Sequence, residues 1–311
     1  MSWRHVIDSF DLLDDPSVTG EAVAAYLRAQ GADKPEVETV VGDKGSTDFV
    51  RLTIPGRRGR SAGGDAPTLS VVGRLGGLGA RPEQIGFVSD GDGALTAVAV
   101  AAKLAQMHRR GDVLDGDVVV GTHICPDAPT RPHDPVPFMD SPVDLDAMNV
   151  HEVDPSADAV LSVDTTKGNR IANVNGFAIS PTVKQGWILR TSEDLLAVQQ
   201  RVTGTLPAVL PLATQDITPY GNGVHHVNSI LQPAVATAAP VVGVAITTEV
   251  PVAGSATGAT SLTSVEQAVR FCIEVAKDFG RGAVGFYDEA EFDRLVALYG
   301  PLAALQTQGR Y

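Results

Sequence analysis

Cysteine, positive charge and long apolar runs are scarce in this sequence of 311 residues. Cys125 and Cys272 are the only cysteines, so we expect a reducing compartment and no disulfide framework. Lysine and arginine number 24 against 37 aspartates and glutamates, and the net charge of -13 repels phosphate backbones and anionic lipids. No apolar run approaches the roughly 18 residues of a membrane span. The first residues lack the layout of a signal peptide, so we expect a cytoplasmic protein without nucleic-acid or membrane partners.

Strands and helices alternate along most of the chain. Apolar runs typical of buried strands stand at 69–72, 118–124, 159–163 and 241–246, and amphipathic helices separate several of them. Alternation of this kind favours a mostly parallel sheet that is covered on both faces. The sequence therefore predicts an α/β fold of three layers, in which helices pack on both faces of a mostly parallel, mixed sheet.

We find no linker with the composition of a domain boundary, so we expect a single domain over 1–311. It would comprise an N-terminal helix and strands (1–68), a core (69–280) and a C-terminal helix (281–311). Within it we expect a further strand at 85–88 and a helix that begins in a capping box at Ser264.

Conspicuous polar residues lie at four edges where we expect strands to give way to loops. In open parallel sheets, ligands bind where the strands give way to loops at their carboxyl ends. We therefore expect the functional site among the segments 89–93, 122–127, 162–167 and 220–226.

Asp90 and Asp164 are the two strongest site candidates. Asp92 is explained as the N-cap of the following helix. Asp90 is a second carboxylate, which is costly unless a cation or a hydrogen-bond donor meets it. Asp164 ends an apolar strand, where the alternative to a site is a structural ion pair with Lys167 or Arg170.

His123 is a candidate metal ligand, although a satisfied core histidine is the alternative. Carboxylates together with one imidazole suit zinc or manganese, so Asp90, Asp164 and His123 form the predicted metal set. Cys125 and Asp127 follow at the same edge of the sheet and add reactive groups to it.

The segments at these edges resemble those of the cocatalytic metalloaminopeptidases of the glutamyl and tetrahedral type. The similarity covers roughly 69–280, and it implies an aminopeptidase-like core in which Asp90 and Asp164 occupy metal-binding positions. The remaining positions of the family pattern differ, at Arg74, Gly76, Cys125, Pro126 and Gly254. The resemblance therefore implies the scaffold and not the two-metal mechanism.

The whole chain more closely resembles the bacterial family known as domain of unknown function 1177. The similarity is carried by the segments 73–82, 88–93, 121–129 and 179–186.

These observations favour a metal-dependent hydrolase that acts on a small amide, a cyclic amide or a modified amino acid. The metal would activate water, with Asp127 as the general base or a further ligand. Arg74, Lys167 and Arg170 would bind a substrate carboxylate. His225 and His226 are weaker substrate-binding candidates, because adjacent residues on a helix point about 100° apart.

Two other functions remain open at this stage. The first is a metal-free protein, with a binding or regulatory role, that kept the scaffold and lost catalysis. The second is cysteine-dependent catalysis, with Cys125 as nucleophile and His123 or His225 as base. Self-association into a homo-oligomer is expected for either kind of protein.

Overall fold

The computed structural model describes residues 2–309 and contains a mixed β-sheet with helices on both faces. None of the helices in this part of the chain has the length and apolar character to cross a membrane. The α-helices are α1 (Trp3–Leu13), α2 (Gly20–Gln30), α3 (Asp92–Arg109), α4 (Leu145–Glu152), α5 (Glu193–Thr203), α6 (Leu262–Gly280) and α7 (Glu289–Tyr299). The strands are β1 (Glu36–Gly42), β2 (Gly45–Ile54), β3 (Leu69–Gly73), β4 (Val118–Ile124), β5 (Thr130–Arg131), β6 (Phe138–Met139), β7 (Ala159–Thr165), β8 (Gly176–Ile179), β9 (Val183–Lys184), β10 (Trp187–Ile188) and β11 (Val241–Thr247).

Four parallel strands form the centre of the sheet, in the order β4-β3-β7-β11. On one side, β2 pairs antiparallel with β4 and forms a hairpin with β1. On the other side, β8 and β9 pair antiparallel with β11. This arrangement confirms the predicted mixed, mostly parallel sheet, and strands β5 and β6 form a separate small hairpin.

Successive residues of the central strands are buried in different layers, because side chains alternate between the two faces of a sheet. On β3, Val71 packs with the layer that contains α3 and α6, whereas Val72 packs into the opposite layer. On β7, Leu161 packs with the layer of α3 and α6, and Val160 packs into the opposite layer. The first layer holds most of the helices, and the second holds α4 and short 3-10 helices between α5 and β11.

Local sequence signals explain several of the helix ends. The Thr19 side chain accepts a hydrogen bond from the backbone of Ala22, and Gly31 ends α2 in the left-handed conformation, as predicted. The predicted capping box at Ser264 is wrong, because α6 begins earlier and its cap is Ser261. The predicted strand at 85–88 is also wrong, since within it only Val88 makes a bridge, an isolated one to Thr257.

The parallel strands place their carboxyl ends along one edge of the sheet. Gly73, Ile124, Thr165 and Thr247 are their last residues. The polar residues that follow these ends are therefore brought to the same side of the molecule.

Candidate ligand-binding cavity

A cavity of about 1040 Å³ lies at the carboxyl edge of the parallel strands. Its walls come from the turn before α3, the end of β7 and the loops on either side of β11. The β1–β2 hairpin, the β5–β6 hairpin and the segment that leads into α4 also contribute to the walls. The volume suits a small organic molecule.

Asp90 is the acidic residue that the turn before α3 presents to this cavity. Its backbone N–H donates to the carbonyl oxygen of Gly254 over 3.0 Å, and the Ser89 hydroxyl donates to the same oxygen. A side chain at position 254 would clash, because a Cβ there would lie 2.0 Å from the Asp90 Oδ1. No group within residues 2–309 donates a hydrogen bond to the carboxylate itself.

Burial raises the pKa of Asp90 to about 6, and the positive charge of Lys167 opposes this rise. The carboxylate is therefore largely ionised at neutral pH, although it is held in a poorly solvated place. A group of this kind favours a positively charged ligand, and it can also exchange a proton near neutral pH.

Asp164 lies directly beneath the cavity wall, at the end of β7. It accepts hydrogen bonds from the Ser229 hydroxyl at 2.8 Å and from the backbone N–H of Thr165 at 2.7 Å. Burial raises its pKa to about 7, these two hydrogen bonds oppose the rise, and the nearby charge of Asp90 adds to it. The ion pair that we considered for Asp164 is not formed, since its partners are a hydroxyl and a backbone amide.

Asp92 is fully buried and does not cap the helix, contrary to the prediction. It is the first residue of α3, and its carboxylate accepts no hydrogen bond within the described residues. Burial raises its pKa to about 7, against the opposing charge of Lys167. The Lys167 Nζ lies 3.7 Å from its Oδ2.

The two basic residues after β7 lie in different surroundings. Lys167 is almost buried and donates to the carbonyl oxygen of Ala259 over 3.3 Å. Arg170 is exposed. Neither belongs to the cavity wall, so the structure gives no support to a substrate-binding role for these side chains.

Arg74 forms a structural ion pair and not the expected carboxylate clamp. Its side chain is fully buried, and its Nη1 donates to the Glu152 Oε2 over 2.6 Å. Burial alone would raise the pKa of Glu152, but Arg74 and His123 together hold it below its usual value. The guanidinium is enclosed and does not reach the cavity, and its Nε and Nη2 have no hydrogen-bond partner within residues 2–309.

His123 completes this buried group. Its Nδ1 lies 2.5 Å from the Glu152 Oε1, and its Nε2 accepts the backbone N–H of Gly76 over 3.1 Å. A backbone N–H can only donate, so the proton of the imidazole lies on Nδ1. Both ring nitrogens are therefore engaged, although His123 is one of the residues that line the cavity.

Cys125 and Asp127 lie outside the cavity wall. The Cys125 thiol is buried, and burial together with the nearby Asp127 carboxylate raises its pKa to about 12. A thiolate nucleophile at neutral pH is therefore not supported. Asp127 is exposed in the loop after β4 and does not line the cavity, so the structure gives no support to its predicted role as a base.

His225 and His226 both line the cavity. Our helical geometry does not apply to them, because they lie in a loop without helix or strand. The His226 ring stacks on Tyr220 with a centroid distance of 4.3 Å, and its Nε2 bonds to Thr218. Burial raises the pKa of Tyr220 to about 12, so its hydroxyl remains a hydrogen-bond donor.

The predicted metal set is not assembled in this structure. Among residues 2–309, no group of three or more histidine, cysteine, aspartate or glutamate side chains has the arrangement of a metal site. His123 has no free ring nitrogen, and Asp164 already accepts two hydrogen bonds. The donor set therefore does not fit the zinc or manganese ion that we expected.

Sequence reasoning singled out Asp90 and Asp164 but missed three residues that contact the predicted site residues or line the cavity. Ser229 reaches Asp164 from 65 positions away, and Glu152 reaches Arg74 from 78 positions away. Tyr220 stood in one of the predicted segments, but no role was assigned to it. A fully buried arginine requires a carboxylate partner, so knowing that Arg74 is buried would have pointed to a residue such as Glu152. The sequence alone did not show that burial.

Comparison with known proteins agrees with this picture of the fold. A family model described as "Protein of unknown function (DUF1177)" matches residues 38–309. A solved structure of a mutant of tomato leucine aminopeptidase has a TM-score of 0.52 and 12% sequence identity, and the match covers 87% of this chain. It covers only 61% of the tomato chain, so this protein spans about three fifths of that enzyme chain. No curated protein matches the sequence.

Proposed function

The chain belongs to the DUF1177 family, on an aminopeptidase-like fold, and from this premise we propose that it binds a small molecule with a protonated amine. The observation that carries the proposal is the Asp90 carboxylate, which lies on the cavity wall without a hydrogen bond or an ion pair inside the described range. A poorly solvated carboxylate without a partner is costly, and an ammonium group offsets that cost.

Asp90 on the cavity wall and the buried Asp92 and Asp164 near it form what we call the cavity floor, and its electrostatics support the sign of this ligand. Asp90, Asp92 and Asp164 lie close enough for Asp90 to raise the pKa of both other carboxyls, after burial itself. Lys167 is the cation that offsets burial at Asp90 and Asp92. The floor thus has an excess of carboxylates, and a cationic ligand suits it better than the carboxylate-bearing substrate that we expected.

Tyr220 supplies the complementary polar contact. It lines the same cavity, and its hydroxyl has no hydrogen-bond partner in the described part of the chain. With its pKa raised to about 12 by burial, the hydroxyl donates to a ligand acceptor. An amine at Asp90 and a carbonyl oxygen at Tyr220 together describe an amino-acid amide or a similar small molecule.

Hydrolysis of such an amide is the second candidate function. The observation in its favour is the pKa of Asp90, raised by burial to about 6, which is in the range for a general base at neutral pH. In this reaction Asp90 would take a proton from water as the water oxygen attacks the amide carbonyl carbon, and it would pass that proton to the nitrogen that leaves as ammonia. No step through a metal is included, because the donor set does not fit one.

Calorimetric titration with L-leucinamide and with N-acetyl-L-leucinamide tests the proposal, since acetylation removes the positive charge and keeps the rest of the molecule. We expect binding of the free amine only. Asp90→Asn should weaken it by at least about tenfold, the equivalent of 1.4 kcal/mol. Binding should also weaken as the pH falls below about 6, where Asp90 takes up a proton.

The matched control is Asp127→Asn, a carboxylate that follows β4 but lies outside the cavity wall. It should bind the free amine as the wild type does. Equal binding of the acetylated and free forms would contradict the amine assignment. Release of ammonia from L-leucinamide, lost in Asp90→Asn, would favour the hydrolytic function over binding alone.

A further inference from the structure

Lys167 is enclosed beside the carboxylates that lie under the cavity. Only 8% of its side chain is exposed, and it does not belong to the cavity wall. The backbone holds it in place, because Nζ donates to the carbonyl oxygen of Ala259 over 3.3 Å. The same Nζ lies 3.7 Å from the Asp92 Oδ2.

Asp92 depends on this ammonium group. Its side chain has no exposed surface, and neither carboxylate oxygen has a hydrogen-bond partner within residues 2–309. The neighbouring Thr260 hydroxyl is buried too, and like Lys167 it opposes the rise of the Asp92 pKa. A buried charge persists only when it is paired, and Lys167 is the cation that the structure supplies.

The Lys167 ammonium group also lowers the pKa of Asp90. It is the positive charge that offsets burial at Asp90, which lies two positions earlier in the turn. One fixed cation therefore faces two carboxylates at the start of α3. In a site of this composition a divalent metal ion would have to lie against the same carboxylates.

We infer that the Lys167 ammonium is a built-in cation that takes the place of a divalent metal and keeps metal ions out of this carboxylate cluster. A metal ion beside Asp92 would meet the charge of the ammonium at close range, and like charges repel strongly where water is excluded. The inference explains why the carboxylates at the start of α3 persist without a metal donor set. It does not depend on the amine ligand that we propose for Asp90.

Metal titration of the purified full chain tests this inference. We expect that Mn²⁺ does not bind stoichiometrically to the wild type in calorimetry, and that Lys167→Ala binds one Mn²⁺ per chain. The gain in affinity should be at least about tenfold. It should disappear in Lys167→Ala combined with Asp92→Asn, because the second change removes a carboxylate that would hold the ion.

Lys184→Ala is the matched control. This lysine also donates to a backbone carbonyl oxygen, that of Ala238 at 2.8 Å, but it makes no ion pair within the described residues. It should bind no Mn²⁺. Lys167→Gln, which keeps a long polar side chain and removes its charge, gives the same test if the alanine variant does not fold.

Equal Mn²⁺ affinity of the wild type and the Lys167 variants would overturn the inference. So would one tightly bound metal in the wild type that Asp92→Asn removes, since the ammonium would then not exclude it. Neither result depends on L-leucinamide binding. The Mn²⁺ titrations therefore test the role of Lys167 separately from the proposed function, which is tested by L-leucinamide binding.

Discussion

At the scale of single residues, the hydrogen bonds to Asp164 oppose the effect of burial on its pKa. Burial raises its pKa to about 7 in spite of the bond from Ser229. Ser229→Ala removes a donor to the charged form, so the pKa should rise further. A hydrogen bond to a charged group contributes about 1.5–3 kcal/mol, which corresponds to a rise of about 1–2 pKa units.

Carboxyl ¹³C NMR titration of labelled protein measures this change. Ser229→Thr keeps the hydroxyl and is the control, and its titration should resemble that of the wild type. An Asp164 titration that is the same in the alanine variant and the wild type would show that the Ser229 bond does not stabilise the charged form.

At the scale of secondary-structure elements, the Arg74–Glu152–His123 group ties α4 to the central strands. Arg74 follows β3, His123 lies on β4, and Glu152 is the last residue of α4. Removal of one partner leaves a buried charge unpaired. Arg74→Leu should therefore lower the free energy of unfolding by about 3–5 kcal/mol.

Urea denaturation at pH 7.5 measures this loss. Arg190→Leu is the control, because the Arg190–Glu291 pair is exposed and exposed pairs contribute about 0–1 kcal/mol. An unchanged free energy of unfolding in Arg74→Leu would instead show that the buried Arg74–Glu152 pair does not stabilise the fold.

The sequence predicted elements better than it predicted contacts between them. The strands β3, β4, β7 and β11 were predictable because each is a short apolar run between turn signals. The same signal failed at 85–88, where the backbone bonds to loops and not to a strand. Asp92 was misread as a cap, because a carboxylate at a helix start gives the same signal whether it caps or is buried beside a lysine.

The site shows the same division. Asp90 and Asp164 were predictable, because each is an acidic residue at the end of an apolar run and parallel strands end at one edge of the sheet. Their partners were not predictable, because Ser229 and Glu152 come from distant positions and no local pattern marks them. For the same reason His123 was read as a ligand, whereas its engagement by Glu152 and Gly76 is a tertiary contact.

At the scale of the whole molecule, the buried carboxylates predict that stability falls as the pH rises from about 4 to 7. Burial raises the pKa of Asp90, Asp92 and Asp164 to about 6, 7 and 7, above the value of about 3.9 in an unfolded chain. In this window the folded protein holds more protons than the unfolded protein, so the free energy of unfolding decreases with pH.

Two groups shift stability in the opposite direction. Burial lowers the pKa of His5, so its contribution is lost as the pH falls through its unfolded value. Glu152, whose pKa stays low in spite of burial because of Arg74 and His123, loses its contribution in more acidic solution. The effect of the three aspartates must therefore be measured by comparing the pH dependence of the free energy of unfolding in the wild type with that in a variant.

Urea denaturation of the wild type and of Asp164→Asn at pH 5.0 and pH 7.5 isolates this effect. The wild type should lose more stability on going to pH 7.5 than the variant does, because the variant has no charge to acquire at position 164. One pKa unit corresponds to about 1.4 kcal/mol, so the two pH responses should differ by at least about that amount. L-leucinamide should reduce the loss in the wild type, since the proposed amine offsets the charges that form in this window. Parallel pH responses of the two proteins would mean that Asp164 titrates like an ordinary aspartate and that the cavity floor is better solvated than its burial implies.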